Sequence, residues 1–227
     1  MKAVYASTVN HADPLAALAV GEQPEPQARP FWSTVSVRAV TVNHHDVWSL
    51  QGVGLAAEQT PMILGTDAVG ILDEDIPGKH GLKAGSEVVL YTFVGTDGAG
   101  VAPGERRTIL SEKYPGTMAE KTSVPSANVF AKPASLTTAE AAALGTSWLT
   151  AYSLLFDAAG IKPGDSVLIQ GAGGGVSTAA IQLAHAAGLE VFVTSRDADK
   201  RSKALKLGAN AALEIGARLP RKVDAVI

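Results

Sequence analysis

The sequence predicts two unlike halves: a β-rich, partly open barrel over residues 1–131, then an α/β half over residues 132–227 built as an incomplete, doubly wound parallel sheet. Three observations carry this. The first half alternates apolar and polar residues at period two. After Lys132-Pro133, short apolar runs alternate with helical patterns, as βαβ units do. At Lys222–Ile227 a further apolar strand opens, where a doubly wound sheet of about six strands would need roughly two or three more βα units. The expectation is a fragment of a longer protein.

Ser33–Val42 (STVSVRAVTV) is the clearest strand of the first half, with apolar residues on alternate positions as on a half-buried sheet. Asp67–Leu72, Ser86–Phe93 and Met118–Pro125 follow as shorter strands. The Gly-, Pro- and Asp-rich stretches 75–86 and 95–105 between them read as loops. In the second half, Thr137 stands three residues before Glu140 at the head of an alanine-rich run, the spacing of a helix capping box. Ser166–Gln170 is a buried strand, 175–188 an amphipathic helix closed by Gly188, and 189–195 a second buried strand. Residues 197–209 form a helix with a charged face ended by Gly208, and 210–215 a short strand.

Composition excludes several classes of function. A net charge of -3, with no basic stripe interleaved with aromatics, gives no ground for nucleic-acid binding. No cysteine is present, which removes disulfides, cysteine nucleophiles and thiolate zinc sites. The opening residues lack the apolar core of a signal peptide. The most apolar window, 139–156, is broken by Glu140 and Gly145, so no membrane association and a cytoplasmic location are expected.

The stretch 167–197 raises the functional question. Gly171 and Gly173 supply the first two glycines of G-x-G-x-x-G, but Val176 stands where the third is due. The turn, with Ala172, Gly174 and Gly175, lies between a strand and a helix N-terminus, the order in which unpaired N–H groups bind a phosphate. The alternative is a glycine-rich turn with no ligand. An acidic residue is expected at the end of the second strand in NAD-binding sheets; here stand Ser195 and Arg196, with Lys200 four residues on. A hydroxyl flanked by cations suits a 2′-phosphate, so NADPH is the expected cofactor. The cations from Arg201 onward read as solvating a helix face.

Five segments resemble the medium-chain dehydrogenase/reductase superfamily, in its zinc-independent, quinone-oxidoreductase-like branch. They are 37–52 (VRAVTVNHHDVWSLQG), 61–72 (PMILGTDAVGIL), 82–91, 116–155 and 161–209, and their order and spacing cover essentially the whole chain. The resemblance implies a GroES-like catalytic domain followed by a Rossmann domain, with substrate in the cleft between them. It also implies a homodimer when the chain is complete. In this branch the turn reads A-x-x-G-x-G, matched by Ala172 and Gly175, with Ser177 departing at the last position.

Zinc-dependent relatives carry a cysteine near 43–46 and a Gly-His-Glu triplet. Here the triplet position reads Gly65-Thr66-Asp67, and no cysteine can fill the other positions. A site of His44, His45, Asp46 and Asp67 is conceivable; the simpler expectation is one packed and one exposed histidine. The resemblance therefore implies hydride addition to a quinone or an α,β-unsaturated carbonyl without catalytic zinc. It places Asn43 as a hydrogen-bond donor to carbonyl or ribose and His44 or His45 as a proton donor. Asp46 would orient a neighbour, Trp48 stack on substrate, Thr66 contact substrate, and Thr146 and Trp148 face the nicotinamide. The rival readings are a non-catalytic nucleotide-binding protein, an inactive fragment of a longer reductase, and a zinc-less alcohol dehydrogenase-like enzyme.

Overall fold

A computed structural model describes residues 1–79, 81–95, 97–101 and 106–227. The chain divides into two compact units, 1–146 and 147–227.

In the first unit, β1 (Lys2–Ala6), β2 (Leu18–Glu22), β3 (Trp32–Ala39), β4 (Met62–Ile63), β5 (Val69–Leu72), β6 (Glu87–Leu90), β7 (Phe93–Gly95), β8 (Arg107–Ile109), β9 (Lys121–Pro125) and β10 (Val129–Ala131) form three antiparallel sheets. Their orders are β2-β1-β4, β10-β6-β5-β3-β9 and β7-β8. Val35, Leu72, Val88, Leu90, Val94, Leu110, Val124 and Val129 meet in the main core. Near the start of β3, Ser33 and Val35 are buried between half-buried neighbours, as the period-two pattern requires.

The strand expected at Ser86–Phe93 divides into β6 and β7. The backbone changes partner there: Leu90 N–H donates to Ala68, but Tyr91 N–H turns to Asn128. Asn128 Nδ2 then holds both Tyr91 O (3.1 Å) and Phe93 O (2.6 Å) across the break. The strand expected at 118–125 begins only at Lys121, because Met118 N–H is committed to Leu64 O. β1, β2, β4, β8 and β10 have no counterpart among the strands expected from the sequence. His80 of the loop expected at 75–86 lies outside the described residues, as do Thr96 and 102–105 of the loop expected at 95–105.

Helix α1 (His44–Gln51) is likewise invisible to the hydrophobic pattern, being short and apolar at few positions. It packs Leu50 against Ala6, Ala17, Leu55, Met62 and Leu64, and Gly52 ends it with φ +88°. Helix α2 (Thr138–Ala142) starts on the capping box expected from the sequence. Thr137 Oγ1 accepts from Glu140 N–H (3.3 Å), and the Glu140 carboxylate accepts from Thr137 N–H (2.9 Å). Ala141 and Ala142 bury against Val69, so this helix belongs to the first compact unit although its sequence pattern resembles that of the second. α3 (Leu149–Tyr152) lies within a helical stretch that includes π turns at Leu144–Trp148 and Ser153–Ala158.

The second unit is a parallel sheet of order β13-β12-β11-β14, from β11 (Ser166–Gln170), β12 (Glu190–Thr194), β13 (Ala211–Leu213) and β14 (Ala225–Val226). In order of appearance this is 3-2-1-4, one edge of the doubly wound arrangement. Helices α4 (Gly175–Ala186) and α5 (Ala198–Lys206) make the crossovers. Val167, Ile169, Ala180, Ile181, Ala184, Val191 and Val193 build the core between sheet and helices. Both faces of β12 are buried, which explains its unbroken apolar run.

Candidate functional site

In the first unit, the turn into α1 and the triplet 65–67 converge on one hydrogen-bonded cluster. Asp67 is wholly buried, and its Oδ1 accepts from Thr41 N–H (3.0 Å) and Thr41 Oγ1 (2.7 Å). Asn43 Nδ2 donates towards Asp67 Oδ2 (3.2 Å), Thr66 Oγ1 (3.2 Å) and Thr41 Oγ1 (3.1 Å). Thr66 Oγ1 in turn lies 2.9 Å from Thr146 Oγ1. A continuous chain therefore runs from a buried carboxylate through an amide and a hydroxyl to Thr146, which is half-buried. Such chains hold each member in one rotamer and polarise the terminal hydroxyl. Gly145 permits the approach: a Cβ there would stand 2.7 Å from Leu90 O and 3.0 Å from Asp67 Cβ.

Asp46 serves the backbone instead. Its Oδ2 accepts from Asn43 N–H (2.7 Å) at the start of α1, and its Oδ1 accepts from Gly65 N–H (3.0 Å). One carboxylate thus ties the residue before the helix to the residue before Thr66. Burial raises its pKa, outweighing the two backbone hydrogen bonds that favour the charged form. The folded chain holds this proton more tightly than the unfolded chain. Asp46 accordingly contributes most below its unfolded pKa of about 3.9, and that contribution declines as pH rises through the raised folded value. Urea denaturation of wild type and Asp46→Asn across this range is expected to show a stability difference that narrows with rising pH; a gap that widens contradicts the assignment.

The two histidines part company. His44 is exposed and sits edge-on to Trp48, ring centroids 5.0 Å apart, with Trp48 itself 47% exposed. His45 Nε2 faces Glu112 Oε1 (3.3 Å), while its Nδ1 lies 3.5 Å from the hydroxyls of Ser49 and Ser111. Burial alone would raise the Glu112 carboxyl, but hydrogen bonds from His45, Thr108 and Ile109 N–H hold it below the ordinary range. The four side chains conceivable as a metal set therefore face different partners: Trp48 for His44, Glu112 for His45, backbone N–H groups for Asp46, Thr41 and Asn43 for Asp67. Thr41 and Glu112 are neighbours of the candidate residues that sequence reasoning does not find. Glu112 is 67 residues from His45, and Thr41, though two residues from Asn43, meets Asp67 from 26 residues away.

In the second unit the glycine turn follows β11 at its carboxyl end. Gly171 (φ +100°) and Gly173 (φ +92°) occupy the left-handed region, which only glycine enters without strain. A Cβ on Gly175 would meet Ser147 Oγ at 2.5 Å, so this glycine lets α4 pack. Gly174 differs from all three. Its φ of -78° and ψ of 156° suit any residue, and a Cβ would find nothing nearer than Ser177 Oγ at 3.7 Å. Val176, in the first turn of α4, packs against the core, and Ala172 is buried within it.

Lys200 reaches the turn: a Cβ on Gly173 would lie 3.2 Å from Lys200 Cδ, so the lysine stem crosses the glycine. Ser195 is buried, its Oγ accepting from Asp197 N–H (3.2 Å), and Arg196 is exposed. Asp197 caps α5 by accepting from Lys200 N–H (3.1 Å). Arg201 corrects the expectation that the later cations only solvate a helix. Its Nη1 folds back onto Ser195 O (2.7 Å) and Arg196 O (3.2 Å) because the first turn of α5 aims it at the end of β12.

Residues 29–134 match the alcohol dehydrogenase GroES-like domain. Crotonyl-CoA reductase of Streptomyces avermitilis is 30% identical, over 89% of this chain and 51% of its own length. Among solved structures, an NAD-dependent alcohol dehydrogenase is 35% identical with a TM-score of 0.83, covering 96% of this chain and 64% of that one. The quinone oxidoreductase of Thermus thermophilus, solved also as its complex with NADPH, is 29% identical with a TM-score of 0.69, covering 94% and 60%. The chain spans about a third to a half of the length of the VAT-1 homologues and crotonyl-CoA reductases it matches. With a GroES-like domain ahead of a parallel 3-2-1-4 sheet, the chain has the architecture of the medium-chain dehydrogenase/reductase superfamily.

Proposed function

We propose that this chain serves an NADPH-dependent oxidoreductase that reduces a quinone or an α,β-unsaturated carbonyl without catalytic zinc. The observation that carries the reading is the glycine turn: Gly174 has no conformational or packing reason to be glycine, and the stem of Lys200 crosses its neighbour Gly173. A turn kept open on the side where helix N–H groups emerge suits a pyrophosphate. Ser195 and Arg196 favour the phosphorylated nucleotide, since neither repels a 2′-phosphate and one attracts it. The bound nicotinamide would supply the hydride.

This chain's own residues would then bind and orient. Gly171, Ala172, Gly173, Gly174, Gly175 and Val176 would cradle the pyrophosphate, and Ser195, Arg196 and Lys200 the adenosine phosphate. Thr146 ends the hydrogen-bonded chain on its more open side, so its hydroxyl would donate to the nicotinamide or to the oxygen gaining charge. Thr66 and Asn43 would act through Thr146 by fixing its rotamer, and Asp46 by fixing the backbone of both. His44, exposed beside Trp48, remains the candidate proton donor. The zinc-free reading draws support from the side chains gathered at 65–67, which are hydroxyl, amide and a carboxylate already bonded by Thr41 and Asn43. A homodimer belongs to the same proposal.

Titration with NADPH and NADH, read by nucleotide fluorescence, tests the cofactor. Wild type is expected to bind NADPH more tightly, and Ser195→Asp to lose about ten-fold of that preference by placing a carboxylate against the 2′-phosphate. Equal affinities in wild type would sink the assignment. A screen of quinones and enones with NADPH then tests the acceptor class.

A further inference from the structure

The loop from β12 to α5 carries the proposed determinant of nucleotide choice, yet Arg196 makes no ion pair among the described residues. Its backbone, by contrast, is fixed from several sides. Ser195 N–H donates to Leu213 O (3.0 Å) on the neighbouring strand end, and Asp197 N–H to Ser195 Oγ (3.2 Å). The largest constraint is Arg201. Its guanidinium bridges two successive carbonyls, Ser195 O at 2.7 Å and Arg196 O at 3.2 Å, while Nη2 pairs with Glu214 Oε1 at 3.2 Å. The Arg201 side chain is only 18% exposed, so these contacts are partly shielded from water.

We infer that Arg201, held by Glu214, is a positioning residue for nucleotide selection: it pins the Ser195–Arg196 backbone so that the Arg196 side chain starts from a fixed point toward a 2′-phosphate. The inference rests on the cofactor reading above. Three features support it. A planar fork places donors on two nitrogens, so Nη1 reaches the two carbonyls while Nη2 reaches the carboxylate; a lysine ammonium must serve all three from one atom on a flexible stem. Glu214 neutralises Arg201, leaving Arg196 and Lys200 as the cations offered to an anion. A loop ordered before binding loses less entropy when the phosphate arrives, and that gain goes only to the nucleotide that carries the phosphate.

The test is fluorescence titration of the full chain with NADPH and with NADH, for wild type, Arg201→Gln, Arg201→Lys and Glu214→Gln, with urea curves alongside. Both Arg201 variants are expected to weaken NADPH about ten-fold while NADH stays within about two-fold; Glu214→Gln should lose about three-fold of the preference. Full NADPH preference in Arg201→Lys would mean that charge alone matters and would overturn the inference. Equal weakening of both nucleotides would reduce Arg201 to a structural role and overturn it as well. A wild type that prefers NADPH, beside variants that keep the preference, overturns this inference alone. A wild type with no preference overturns the cofactor reading and the inference with it.

Discussion

Replacing Gly174 by alanine is expected to weaken NADPH binding by about ten- to a hundred-fold, the equivalent of the roughly 1–3 kcal/mol that a misplaced methyl costs in a close-packed contact. The same change should leave the urea midpoint nearly untouched. Alanine is comfortable at φ -78°, ψ 156°, and its Cβ would meet only Ser177 Oγ, at 3.7 Å. Gly173→Ala is the contrasting variant. There φ is +92° and the lysine stem lies 3.2 Å from the new atom, so binding and stability should both fall. The pair separates a glycine required by a ligand from one required by the backbone. If Gly174→Ala binds NADPH as wild type does, the turn does not hold a pyrophosphate and the proposed cofactor site fails.

The contrast between these neighbouring glycines also marks the reach of the amino-acid sequence taken alone. β11, its turn, α4 and β12 are legible there because each is declared locally: an unbroken apolar run, glycines between, and Gly188 at the close. The Thr137–Glu140 box is legible for the same reason, since three residues suffice to state it. The cluster around Asn43 is legible only as a place of interest. Its geometry depends on Thr41, Thr66, Asp67 and Thr146, brought together by β5, the start of α1 and the approach allowed by Gly145. The same limit explains why α1 leaves no trace in the pattern. Its eight residues are held by Asp46 bonding to Asn43 and Gly65, a tertiary arrangement with no period to detect. Arg201 is hidden in a different way, because its spacing on α5 matches that of solvent-facing lysines. Only the return of the guanidinium onto β12 distinguishes it.

Gly65→Ala is expected to destabilise the first unit by about 2–5 kcal/mol, adding left-handed backbone strain of roughly 1–2 kcal/mol to overpacking of about 1–3 kcal/mol. Gly65 has φ +95°, and a Cβ there would stand 2.5 Å from Thr117 Oγ1, 2.8 Å from Met118 Cγ and 2.9 Å from Met118 N. Its N–H is already held by Asp46, and its carbonyl accepts from Thr117 N–H at 3.2 Å, so the residue cannot rotate away without releasing both. Removing the obstructing hydroxyl in a Gly65→Ala, Thr117→Ala pair should recover only part of the loss, because the Met118 amide and the positive φ remain. Chemical denaturation of the three variants measures this. Full recovery in the double variant would show that the side chain, and not the backbone crossing, demands glycine. Thr66 and Asp67 follow immediately, so any shift that accommodates the new methyl must also pull on the Asn43–Thr66–Thr146 chain. Nucleotide binding in the second unit, held by β11 and β12 with their own core, should be affected less than turnover. That split between binding and rate is what a glycine placed under the polar cluster, rather than under the phosphate turn, should produce.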